Sequence, residues 1–136
     1  MKNLIRTIIV ALFIVSTNIC LSAQPPLETV QKAKTMVENA RPQLPFPGGY
    51  GLLLTELSYD SKTYSLVYRY RYTVPATKPT NKAIKESKQS LILLLKSHPD
   101  SEDMKFLKDG ITYYYNYYSQ QGDFLFAVKI TPDDIK

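Results

Sequence analysis

Apolar positions along the chain follow two different periods. From Leu27 to about Ala40 the apolar residues Val30, Ala33, Val37 and Ala40 recur at steps of three and four, and Glu28, Gln31, Lys32, Lys34 and Glu38 fill the other side. That spacing predicts an amphipathic helix with a narrow buried stripe. Gln24-Pro25-Pro26 leads into it, and Arg41-Pro42 ends it. Pro42, Pro45 and Pro47 with Gly48-Gly49 then read as a linker, which can be neither helix nor central strand.

Beyond the linker the period changes to two. Tyr50 to Ser58 reads as a strand, with a turn at Tyr59-Asp60-Ser61-Lys62. From Thr63 to Val74 the alternation is clean: Tyr64, Leu66, Tyr68, Tyr70, Tyr72 and Val74 share one face, and Ser65, Val67, Arg69, Arg71 and Thr73 share the other. Two strands joined by so short a loop form an antiparallel hairpin. Pro75 to Pro79 breaks the pattern, and Thr80 or Asn81 caps a second helix running to about Ser97. Its stripe is Ile84, Leu91, Leu94 and Leu95. Leu91 to Leu95 is apolar all round, so its second half is expected to lie deeper. His98-Pro99 stops that helix. Asp100 to Asp103 supplies the acidic first turn of a short one through Leu107, ending near Gly110.

Ile111 to Tyr118 and Phe124 to Thr131 form the second expected hairpin, around a turn at Ser119 to Asp123. Phe124, Phe126, Val128 and Ile130 are expected on one face, and Leu125, Ala127, Lys129 and Thr131 on the other. The order helix, hairpin, helix, hairpin reads as two αββ units. It predicts an α+β domain with a four-stranded antiparallel sheet and two helices on one face. The opposite face is then left to solvent or to a ligand.

Met1 to Ala23 stands apart from this pattern. Lys2 and Arg6 make a basic start, Thr7 to Val15 an apolar run, and Ser22-Ala23 a signal-peptidase site. Ser16-Thr17-Asn18 cuts the run short of the ~20 apolar residues that span a bilayer. The segment therefore reads as a secretory signal, with residues 24–136 as one exported domain, periplasmic or secreted. The expected membrane contact is through the signal alone, before cleavage. Cys20 raises lipidation, but that processing wants a small residue before the cysteine. Ile19 fits poorly, so a cleaved signal is favoured.

Composition narrows the chemistry. With 44% hydrophobic residues and 21% charged, the chain has the apolar content of a folded domain. Cys20 is its one cysteine, so the exported part cannot use disulfides and must rely on a packed core. The formal charge of +5 is spread among interleaved signs, which implies no strong field for polyanions. Nucleic acid is not an expected partner, given export and no recognisable stacking motif. With no cysteine in the expected exported part and one histidine, His98, thiol catalysis and zinc sites of Cys or several His are excluded. No Gly-x-Ser-x-Gly elbow accompanies His98. Gly48, Gly49 and Gly51 precede a strand and lack the Lys-Ser/Thr of a phosphate loop. Asp100, Glu102, Asp103 and Asp109 lack EF-hand spacing, and a helix N-terminus accounts for them. The sequence implies no cofactor and no metal.

The tyrosines stand above background, at 11 in the chain. Alternation cannot bury Tyr113, Tyr114, Tyr115, Tyr117 and Tyr118 on one side. If Tyr113, Tyr115 and Tyr117 point toward the helices, Tyr114 and Tyr118 point away, onto the face that Arg69 and Arg71 share. Tyrosine offers large contact area with a hydrogen-bonding tip, which suits binding surfaces. It is also a good strand former that pairs well across strands. The candidate binding residues are Arg69, Arg71, Tyr114 and Tyr118.

The stretch from Gly110 to Ile135 resembles the ending of small exported proteins of unknown function from Bacteroidetes-type bacteria. The matching residues are Gly110, Tyr113, Tyr115, Gly122, Phe126, Ile130, Thr131 and Asp133. The resemblance covers about a quarter of the expected exported part, implies an exported αββαββ protein and carries no functional residues. The expectation is a non-enzymatic module that binds an envelope protein, peptide or glycan through its open Tyr/Arg face. Two alternatives stand beside it: a small exported hydrolase with acidic catalytic residues, and a structural subunit pairing through a sheet edge.

Overall fold

The computed structural model describes residues 24–136, so the expected signal segment and Cys20 lie outside the described residues. Helix α1 spans Leu27–Ala40 and a 3-10 turn follows at Arg41–Gln43. Strands β1 (Phe46–Gly49), β2 (Leu52–Asp60) and β3 (Ser65–Tyr72) come next. Helices α2 (Asn81–Lys96) and α3 (Glu102–Lys108) lead to β4 (Thr112–Tyr118) and β5 (Phe124–Ile130), and a 3-10 turn at Pro132–Ile135 closes the chain. The helix starts follow local chemistry: the Thr80 hydroxyl accepts from the Ala83 N–H at 3.2 Å, and Ser101 caps Met104 in the same way.

The fold is α+β, but the sheet has five strands and is mixed. Its order is β1-β2-β3-β4-β5, antiparallel throughout except that β3 and β4 run parallel. Four antiparallel strands under two helices is therefore corrected on three counts: strand number, one strand direction and the third helix in the helical layer. The parallel pair arises because α2 and α3 together carry the chain back to the end where β3 began. Thr112 then starts beside Ser65, as a helical crossover requires. The segment read as a linker contains β1, paired to β2 through Phe46↔Leu54 and Pro47↔Leu53. Proline excludes a central strand, yet at a sheet edge its missing N–H faces solvent and costs no ladder bond.

α1 packs on β2, α2 on β5 and α3 on β4, all on one side of the sheet. The core is Ala33 and Val37 of α1, Ile92 of α2, Met104, Phe106 and Leu107 of α3, Ile111 just before β4, and the sheet residues Leu57, Leu66, Tyr113, Phe126, Val128 and Ile130. The Thr29 hydroxyl is buried and donates to Asp109, tying the start of α1 to the end of α3. Three positions depart from the periodic reading. Leu93 and Leu94 are 68% and 58% exposed, because a helix lying on one sheet face buries only one stripe. Phe124 pairs with Tyr118 while Phe126 pairs with Tyr117, so a bulge at Leu125 turns Phe124 to the opposite face from the one expected.

Candidate functional site

The helix-free face is built on the central parallel pair. Register places Val67 beside Tyr114, Arg69 beside Asn116 and Arg71 beside Tyr118. Tyr113 is fully buried and donates to Asp103 Oδ1 of α3 at 2.7 Å, so Tyr114, Asn116 and Tyr118 point away from the helices. All four residues singled out in the sequence, Arg69, Arg71, Tyr114 and Tyr118, thus share this face.

Their contacts differ. Arg69 leans diagonally over the ladder, and its guanidinium carbon sits 3.9 Å from the Tyr118 ring centre. Its Nη1 also lies 3.7 Å from Glu56 Oε2, from the neighbouring strand β2. The cation is therefore held between a ring face and a carboxylate. Phe124 meets the other part of Tyr118 edge-on at 5.6 Å and is 58% exposed. Lys129 Nζ lies 5.4 Å from the ring centre of its cross-strand partner Tyr114. Arg71 is exposed and has no ion-pair partner among the described residues. Glu56, Phe124 and Lys129 complete this surface. Glu56 and Phe124 reach their positions past register shifts in β2 and β5 that local periodicity does not show, whereas the alternation of β5 already set Lys129 apart from Phe126, Val128 and Ile130.

The helix side holds a second tyrosine cluster. Tyr68 stacks on Tyr115 at 5.1 Å, Tyr70 on Tyr117 at 5.5 Å, and Tyr117 on Phe126 at 4.4 Å. Burial pushes the Tyr117 hydroxyl up to about 12, and it raises Tyr68, Tyr113 and Tyr115 further. α3 covers this cluster at the Tyr113 end. Tyr70, Tyr72, Tyr115 and Tyr117 remain only half-buried beyond it.

Three acidic residues are engaged structurally. Asp103 accepts from Tyr113, Asp109 from Thr29, and Asp134 from the Thr131 N–H and hydroxyl. His98 ends α2 with its Nδ1 2.9 Å from Ser97 Oγ and 3.1 Å from the Leu94 carbonyl. Among the described residues no three His, Cys, Asp or Glu side chains gather as a metal site.

No family model and no curated protein matches the sequence. Solved structures do match. One is a protein of Pseudomonas aeruginosa, described as secreted, at TM-score 0.55 and 10% identity, covering 80% of this chain and 94% of that one. The likeness is one of fold. Two others share it: the type II secretion system pilotin AspS of Vibrio cholerae, at TM-score 0.51 and 15% identity, and the type II pilotin EpsS of Vibrio vulnificus, at 0.53 and 17%. They are covered over 92% and 96% of their lengths, against 79% and 80% of this chain, so the fold is shared nearly end to end.

Proposed function

We propose that this chain is an exported, non-enzymatic binding module of the cell envelope whose partner is a protein. The observation that carries the proposal is the helix-free face, where Arg69 is held on Tyr118 beside exposed Phe124 and free Arg71. Tyrosine, phenylalanine and arginine are the residues enriched in the centres of protein interfaces. An arginine already positioned by an aromatic face loses little freedom on binding. The N-terminal segment, the resemblance of the last hairpin to Bacteroidetes-type exported proteins and the fold shared with pilotins all support export and a role beside another envelope component. The reading as a hydrolase loses support because Asp103, Asp109 and Asp134 each serve a structural hydrogen bond.

Site-specific photocrosslinking in the producing cell tests this. A crosslinker at position 71 or 114 is expected to give one discrete protein adduct, lost on Arg69→Glu. Adducts from position 72, on the helix side, with none from 71 or 114, would move the binding site to the half-buried tyrosines.

A further inference from the structure

The two edges of the sheet are unlike. β1 has four residues, contains Pro47 and shifts register between Pro47 and Gly49, all of which discourage a further strand. β5 has seven residues and no proline, and among the described residues it pairs with β4 alone. Beyond its bulge the run Phe126–Ile130 is regular, so its outer N–H and C=O groups form an open template. α2, the helix that packs on this strand, carries the exposed leucines Leu93 and Leu94.

We infer that β5 is the dimerisation edge, where a second copy of this chain adds its own β5 antiparallel about a two-fold axis at Val128. The register is self-complementary. Phe126 falls opposite Ile130 and Val128 opposite itself on the helix side, continuing an apolar layer. On the open side the run's one charge, Lys129, falls opposite Ala127, so no like charges meet. The pairing also sets the two α2 helices on one face of the joined sheet, each carrying the exposed Leu93 and Leu94. With β1 closed to pairing, the sheet ends at two copies and cannot grow into a filament. Phe124 and Lys129 of β5 border the Arg69–Tyr118 surface, but the dimer is read by sedimentation of the pure chain and the partner by crosslinking in the cell, so either proposal can fail without the other.

The chain from Gln24 onward contains every core residue found among the described residues and serves for the test. Sedimentation from micromolar to millimolar concentration is expected to show a monomer–dimer equilibrium. Ala127→Lys, at an exposed position, sets lysine against Lys129 across the axis and should weaken association at least tenfold. Ala127→Glu sets a carboxylate there and should strengthen it. A monomer at every concentration overturns the inference, as does a dimer that both variants shift in the same direction or leave alone. Amide exchange adds a location: protection rising with concentration at Phe126–Ile130 supports the edge, and protection rising only at Arg69 and Tyr118 overturns it.

Discussion

The guanidinium carbon of Arg69 lies 3.9 Å from the ring centre of Tyr118, two register steps along a parallel ladder. At that distance the cation feels the negative face of the ring, and the exposed Glu56 carboxylate lies 3.7 Å from its Nη1. A double-mutant cycle with Arg69→Ala and Tyr118→Ala should return a coupling of about 0.5–1 kcal/mol, the range for exposed cation–π pairs. Additive losses would mean that the two side chains act independently and that Arg69 is not held by the ring.

Tyr113 joins the sheet to α3 through its hydroxyl. The bond to Asp103 is 2.7 Å long and the ring is fully buried. Tyr113→Phe keeps the ring and removes the donor. Asp103 is half-exposed and regains water, so the cost should be about 1.5 kcal/mol, the low end for hydrogen bonds to a charged group. Denaturant unfolding that leaves the midpoint unchanged would show that the hydroxyl adds nothing net.

Alkaline pH should unfold the domain in one step. Burial, and next the neighbouring Asp103 or tyrosines, raise Tyr68, Tyr113, Tyr115 and Tyr117 above the ordinary value of 10.0. A group raised in the fold contributes stability that is intact below the unfolded value and is lost as pH rises toward the folded one. Tyrosinate absorbance and loss of the sheet signal are therefore expected together above about pH 10. Ionisation of these four near 10 with the fold intact would contradict their burial.

At the acid end the sign reverses. Burial pushes Asp134 up, but the Thr131 N–H and hydroxyl, with Lys88 at 3.3 Å, hold it below its ordinary value. Its contribution is present above the unfolded carboxylate value and fades as pH falls through the folded one. Asp134→Asn should lower stability at neutral pH and flatten the decline below about pH 4. Lys88→Ala should cost about 0.2–1 kcal/mol, as surface pairs do. An acid limb unchanged by Asp134→Asn would count against this account.

Much of the architecture was legible locally. The three-and-four spacing of Val30, Ala33 and Val37 marks α1, Thr80 marks the start of α2, and Tyr64 to Val74 marks the alternation of β3. The same alternation puts Arg69, Arg71, Tyr114 and Tyr118 on the helix-free face, because side-chain direction in a strand is a property of the neighbouring residues. The misreadings share one cause. Pro47 looks like a linker until a strand is known to lie on one side of it only. Phe124 alternates correctly by sequence and is turned over by one extra residue opposite Tyr118.

Sequence alone determined the identity of the three helices and of β2 to β5, and the division of the tyrosines between two faces, since these follow from backbone period and burial. Tertiary structure alone decided that β4 lies parallel to β3, that β1 adds a fifth strand, and that Arg69 finds Tyr118 and Glu56. Those outcomes depend on which strands become neighbours. That is set by how α2 and α3 cross the sheet to bury their stripes, and no local window of residues records it.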